Sequence, residues 1–236
     1  MTLLKGTRVT WLGHATVLVE TASGTSFLID PFLEHNPRFP KNFKLPGKVD
    51  YVLLTHAHSD HTADAIPVAE KHGATIVAIV ELAGYMAAKG AKSTIGINLG
   101  GSVTLSGVTV SMVEAKHSSS VEDGGVSLYL GVAAGLVLSI PGGPVLYHAG
   151  DTSVFRDMEL IRELYAPEVA MLPIGGYYTM GPKDAALAAK YLQPKLILPI
   201  HWGTMPQLTG TPQELAGLLG DNKIVAMVAP GEALAT

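Results

Sequence analysis

The residues His56-Ala57-His58-Ser59-Asp60-His61 place three imidazoles and a carboxylate within six positions. Imidazole nitrogens and carboxylate oxygens suit Zn2+, Mn2+, Fe2+ and Ni2+ alike, so the tract reads as metal-binding without naming the metal. In an extended segment alternate residues face the same way. His56 and His58 can therefore hold one ion together, while Asp60 and His61, just beyond, turn toward a second. A solvated histidine-rich loop is a poor account of so dense a set of donors.

Each ion needs more partners, and these must come from distant sequence. The remaining candidates are His14, His35, His72, His117, His148 and His201, with Asp30 and Asp151. Three of them close stretches that read as strands. His117 ends Val113-Glu114-Ala115-Lys116-His117, Asp151 ends Leu146-Tyr147-His148-Ala149-Gly150-Asp151, and His201 ends Leu198-Pro199-Ile200-His201. A carboxylate such as Asp151 can bridge two ions, a histidine then completing each. Composition alone does not separate these from histidines packed in a core or lying on the surface.

The elements that must position these residues follow from periodicity. Short runs rich in Val, Ile and Thr predict strands at 8–12, 16–21 and 26–29, then a Pro- and Phe-bearing loop over 31–48. The buried-looking strand 51–55 runs straight into the histidine tract. Helices are predicted at 64–72 and 81–89 around a strand at 75–80, each helix stopped by a glycine. Strands follow at 103–105, 108–115, 127–132 and 136–140. The last third alternates strands at 145–148, 169–174, 196–200 and 224–228 with helices at 158–165, 183–192 and 212–219. Strands then strand–helix units, twice over, predict an α/β (α+β) chain with two similar halves joined near residue 115. Two such sheets packed face to face make a four-layer αββα sandwich, one domain over residues 1–236.

The bulk properties set limits. The chain has 236 residues, 47% hydrophobic, and can bury a core without disulfides or a structural metal. It has no cysteine, which excludes thiolate ligands, Fe–S clusters and a cysteine nucleophile. A net charge of -4 argues against a broad nucleic-acid footprint. No apolar run reaches the roughly 18 to 20 residues of a membrane span, and the first residues carry no signal-peptide pattern. The expectation is a cytoplasmic protein acting on a small molecule, with no nucleic acid partner; self-association into a homo-oligomer stays open.

At these motifs the sequence resembles the metallo-β-lactamase superfamily. Leu28-Ile29-Asp30-Pro31 resembles its first motif, and Thr55-His56-Ala57-His58-Ser59-Asp60-His61 its signature; His117, Asp151 and His201 fall where later ligands are expected. Gly13-His14-Ala15, Asp30-Pro31-Phe32-Leu33, Met180-Gly181-Pro182 and Pro230-Gly231-Glu232 are similar to a group of predicted metal-dependent hydrolases. The stretch Thr10-Trp11-Leu12-Gly13-His14-Ala15-Thr16 also resembles N-acylphosphatidylethanolamine phospholipase D, and L-ascorbate-6-phosphate lactonase is another similar relative. The resemblance implies a αββα metallo-β-lactamase sandwich and two divalent ions, zinc first. It places His56, His58 and His117 on one ion, Asp60, His61 and His201 on the other, and Asp151 between them.

The chemistry so implied is hydrolysis of a small ester by a metal-activated hydroxide, an anionic substrate being one expectation, with the pKa of bound water falling from 15.7 to about 7. Phosphodiesters and lactones are the two main substrate classes. Asp60 would ligate and also orient the nucleophile; His14 is the best candidate for the leaving-group acid. Asp30 is expected to fix a histidine ring rather than bind metal. His148 is expected to be structural. The loop 36–48, with Arg38, Lys41, Lys44 and Lys48, and the segment carrying Tyr177, Tyr178 and Lys183 could touch substrate. Two other readings stand beside this one. A metal-binding scaffold without activity is disfavoured by the intact ligand set. An iron-dependent oxidoreductase is disfavoured by histidine at His58 and His61 and by the lack of room for a flavin domain.

Overall fold

The computed structural model describes residues 3–234. An antiparallel meander opens the chain: β1 (Arg8–Trp11), β2 (Val17–Glu20) and β3 (Ser26–Ile29). Strand β4 (Tyr51–Leu53) joins β3 in parallel, and a short helix α1 (Ser59–Thr62) follows the histidine tract. Helix α2 (Ala65–His72) ends on Gly73, whose φ of 66° supplies the left-handed cap. Strand β5 (Thr75–Ile79), helix α3 (Val80–Ala88) and strand β6 (Thr94–Ile97) complete a six-stranded sheet in the order β1-β2-β3-β4-β5-β6.

The second sheet begins with β7 (Ser102–Leu105) and β8 (Val108–Glu114). A separate hairpin of β9 (Ser120–Asp123) and β10 (Val126–Tyr129) then interrupts it. It resumes with β11 (Ala134–Ser139) and β12 (Val145–His148). After helix α4 (Met158–Tyr165) come β13 (Val169–Pro173), α5 (Pro182–Leu192), β14 (Leu196–Ile200) and α6 (Pro212–Leu219). The spatial order is β14-β13-β12-β11-β8-β7. Each sheet is antiparallel at its start and parallel at its end; the parallel strands are connected through helices, except β3 and β4, which are joined by the long loop 30–50.

Alternation along the second sheet divides the interior in two. Leu136, Leu138, Leu146, Val169, Met171, Leu198 and Ile200 pack with the first sheet. Their neighbours Val137, Tyr147, Ala170, Leu172 and Ile197 pack instead with Ala185, Leu192 and Leu215 of the covering helices. A strand buried on both faces is apolar at nearly every position, and β13 and β14 are so throughout. On the other side, Val68, Leu82 and Met86 of α2 and α3 cover the first sheet. The result is the expected αββα order of layers.

Several elements differ from the sequence reading. The halves join between Ile97 and Ser102, not near residue 115. Strands β6 and β9 carry too little apolar pattern to be seen: Thr-Ile-Gly-Ile and Ser-Val-Glu-Asp are short and only half-buried. The strand predicted at 127–132 is β10, Val126–Tyr129. The alternating run 224–228 makes only a single parallel bridge, Ile197 with Val225, before leaving the sheet edge. Ala233 then bridges Thr10, so the C-terminal segment covers the outer edges of both sheets. Among the described residues, no helix is long and apolar enough to cross a membrane.

Candidate metal centre

The chemistry-bearing side chains gather at one edge of the sandwich, just past the C-terminal ends of strands. His14 follows β1, Asp30 follows β3, His56 follows β4, His117 follows β8, Asp151 follows β12 and His201 follows β14. After the extended residues His56 to His58, the single turn α1 rotates Asp60 and His61 the other way.

Two groups of donors result. In one, His56, His58, His117 and Asp151 each bring an atom within 4.8 Å of all the others; in the second, His14, Asp60, His61 and His201 do the same. Asp151 lies between them. Its Oδ2 is 3.1 Å from His201 Nε2, 3.6 Å from His117 Nε2 and 4.0 Å from His56 Nε2, and its Oδ1 is 3.4 Å from His61 Nε2. The second group is closed by Asp60, with Oδ2 3.1 Å from His14 Nε2 and 3.9 Å from His201 Nε2.

Asp30 sets the proton positions of two rings. Its Oδ1 accepts the Thr55 amide at 2.8 Å; its Oδ2 accepts the Thr55 hydroxyl at 2.7 Å and the His61 Nδ1–H at 2.8 Å. The Thr55 hydroxyl has one proton, already given to Asp30, so it accepts from His56 Nδ1 at 3.0 Å. With Nδ1 so engaged in both rings, the neutral form of each presents its Nε2 lone pair inward, the tautomer a cation requires. His58 Nδ1 stands 3.0 Å from His56 Nε2, and its Nε2 reaches the Ser118 hydroxyl at 3.3 Å.

Several buried atoms here make charge contacts at most and no hydrogen bond: His61 Nε2, Asp151 Oδ1, both ring nitrogens of His201 and His14 Nδ1. Buried polar atoms are rarely left so. Inward lone pairs, orphaned donors and two carboxylates in 4.8 Å clusters fit divalent ions.

Electrostatics agree. Burial and neighbouring imidazoles push His56, His58 and His117 below the ordinary histidine value, so they are neutral at physiological pH. Burial, with His201 alongside, lowers His14 to about 4. Burial would raise Asp60 and Asp151, but His61 beside both, with His14 on Asp60 and His201 on Asp151, holds them well below the usual carboxylate range. His61 runs the other way. Burial lowers it, yet Asp151, Asp30 and Asp60 together hold it well above the ordinary value.

The remaining candidates separate. His148 is buried, its Nδ1 accepting the Gly150 amide at 3.1 Å and its Nε2 donating to Ala15 O at 2.9 Å, a structural tie. A cavity of about 570 Å³ opens over the donors, and Tyr178 lines it. Tyr177 is exposed and packs edge-on against Tyr178, 4.6 Å between centroids. Lys183 is exposed on the first turn of α5 and outside the cavity wall.

The basic loop is not a cradle over the donors either. Arg38 stacks on Trp202 and Trp11, 4.9 and 5.8 Å from their centroids, Lys48 pairs with Asp50, and Lys41 lines an adjoining cavity. The sequence reading gave no role to Thr55, Ser118, Met205 or Phe32, and no context to His35; all of these but Thr55 line the cavity. The one available signal was position: Thr55 and Ser118 are immediate neighbours of His56 and His117.

Two glycines let these loops close. A Cβ on Gly150 (φ 62°) would meet Ala134 O at 2.7 Å, and one on Gly175 would collide with His201 O.

Fold and donors together define a class, the metal-dependent hydrolases built on an αββα sandwich, and residues 25–202 match the model of the beta-lactamase superfamily domain. A UPF0173 metal-dependent hydrolase of Koribacter versatilis is 48% identical over 212 residues, 90% of this chain and 91% of that protein. Another, from Rubrobacter xylanophilus, is 45% identical over 236 residues, 98% of each chain. Igni18, a metallo hydrolase from the archaeon Ignicoccus hospitalis, is similar in structure with a TM-score of 0.84 at 35% identity, covering 97% of both chains. The chain belongs to the beta-lactamase superfamily and, within it, to the UPF0173 metal-dependent hydrolases.

Proposed function

We propose that this hydrolase cleaves a small ester, a phosphodiester or a lactone, at a centre of two divalent cations, zinc before manganese, iron or nickel. His56, His58 and His117 hold one ion, Asp60, His61 and His201 the other, and Asp151 is shared. The observation that carries this reading is the pair of donor groups meeting on Asp151 beneath an open cavity. When bound, the cations supply a water acidified to a pKa of about 7 and a Lewis acid for the oxyanion that develops.

The chain's own residues supply the rest. Asp60 lines the cavity and is held ionised by His61 and by its hydrogen bond with His14, so its carboxylate stays an acceptor that can orient the attacking water. His14 is fully buried, absent from the cavity wall and lowered to about 4, which makes it a poor acid at neutral pH. Its part is to orient Asp60 through the 3.1 Å contact of its Nε2, rather than to protonate the leaving group. Asp30 fixes His61 directly and His56 through Thr55. Tyr178 contacts substrate in the cavity, with Tyr177 buttressing its ring.

The test is elemental analysis of protein purified without added metal, followed by assay on bis-p-nitrophenyl phosphate and on a lactone panel. About two ions per chain and turnover of one class support the proposal. No affinity for any divalent ion ends it.

A further inference from the structure

The cavity over the donors has a wall to which the metal centre gives no task. Phe32, Ala63, Tyr178 and Met205 line it, and among its described residues there is no lysine or arginine. The cations of the flanking loops are committed or elsewhere: Arg38 to two tryptophans, Lys48 to Asp50, Lys41 to the adjoining cavity, Lys44 and Lys183 to solvent. That adjoining cavity, about 560 Å³, shares His35 with the first and is lined also by Glu34 and Asp64. A third, reaching His58 and Asp60 from beneath the β9–β10 hairpin, carries Glu122. Beyond the donors, Phe32, Ala63, Tyr178 and Met205 share the wall with His35, Ser59 and Ser118, and the adjoining cavities bring three carboxylates, Glu34, Asp64 and Glu122, against one lysine, Lys41.

An anionic limb placed there loses hydration and gains no counter-charge, whereas an apolar limb gains by leaving water. A cavity of about 570 Å³ is of the size that encloses a small organic molecule. We infer that the part of the substrate beyond the scissile bond is uncharged and apolar, seated against Phe32, Tyr178 and Met205. The inference rests on the ester-hydrolase reading and narrows it. It departs from the sequence expectation of an anionic substrate, which drew on the lysines of the two flanking loops.

The experiment compares two γ-lactones with the same ring, one bearing a hexyl chain and one a chain of equal length ending in a carboxylate. The metal-loaded enzyme should favour the hexyl compound in kcat/KM by about tenfold or more. Equal or reversed values overturn the inference. Met205→Lys should shrink that ratio by raising turnover of the carboxylate compound, and Ala63→Lys, at an exposed position, offers the same charge where folding is not at stake. A ratio unchanged in both variants also overturns it. Binding of the matching lactams, measured by calorimetry, is read independently of turnover. If neither lactone is cleaved, the lactone reading falls, yet tighter binding of the hexyl lactam upholds the apolar limb and tighter binding of the carboxylated lactam refutes it.

Discussion

Asp30→Asn tests the hydrogen-bond logic of the centre with little steric change. The carboxylate of Asp30 is fully buried and reaches both donor groups, His61 at 2.8 Å and His56 by way of the Thr55 hydroxyl. Its backbone φ of 47° is a conformation asparagine adopts readily, so the main chain is not put under new strain. The amide replaces one acceptor oxygen with a donor. If the nitrogen takes the place of Oδ2, it confronts His61 Nδ1–H and the Thr55 hydroxyl proton. His61 then escapes by moving its proton to Nε2, which closes the lone pair facing Asp151. Thr55 must turn its hydroxyl away, and His56 loses its acceptor. If the nitrogen takes the place of Oδ1, it faces the Thr55 amide, which has no alternative tautomer.

Either arrangement leaves a buried donor unsatisfied, at about 1–3 kcal/mol. Loss of the group behind a metal ligand typically costs about 10–100-fold in affinity, or roughly 1.4–2.8 kcal/mol. Both ions should therefore bind more weakly in Asp30→Asn. In Thr55→Val only the ion held by His56 should weaken, because the Asp30–His61 bond survives. Competition against a chromophoric chelator resolves the two steps, and guanidinium unfolding of the metal-free protein reads the stability loss. Affinities of Asp30→Asn within twofold of the parent at both steps would refute the reasoning.

The other predictions concern single parts of the centre and its support. Removing metal with a chelator should abolish hydrolysis, and readdition should restore it, as followed by activity against bound-ion content. His117→Ala should reduce the stoichiometry from about two ions toward one by elemental analysis, since His117 faces only the group with His56 and His58. In the metal-free protein His61 is raised above its ordinary value and keeps its proton at neutral pH, while His56, His58 and His117 are lowered and have none to lose. Loading the His61 group should thus release close to one proton. Its affinity should rise with pH by up to about tenfold per unit until His61 itself deprotonates, while the other ion changes little around neutrality. Calorimetry in two buffers of different ionisation heat counts that proton. Arg38→Ala removes a guanidinium stacked on two tryptophans and should cost about 1–2 kcal/mol, seen as a lower denaturation midpoint at unchanged slope.

The sequence carried the donors because metal binding constrains residue type as well as shape. Four side chains able to ligate a metal in six residues cannot be mistaken for a packing pattern, and the strands leading to His117, Asp151 and His201 are apolar enough to read. The layered fold was legible for the same reason: strands buried on both faces, such as Val169–Pro173, leave no polar position to confuse the period. What escaped was whatever depends on neighbours in space. Strand β9 holds its place by pairing with β10, not by any apolar face of its own. The lysines near the active edge looked like an anion site only while their distances from the cavity were unknown.

The least legible feature is the backbone that aims the donors. His14, Asp30 and His201 have φ of 53°, 47° and 52°, a left-handed conformation that costs an ordinary residue roughly 1–2 kcal/mol. No pattern of residue types announces it. Each lies just past a strand, where an extended residue would carry the chain onward and point its side chain to one face of the sheet. A left-handed residue instead turns the chain at the sheet edge, where the two layers meet. The cost is met by bonds specific to these turns. His14 O accepts both the Trp11 indole N–H and the His201 amide at 2.9 Å, and Asp30 O accepts the Thr16 hydroxyl at 2.7 Å. One carbonyl, on His14, therefore ties a strand end of the first sheet to one of the second. That bond makes the approach of Asp60 to His201 a property of the whole sandwich, where no local motif could encode it.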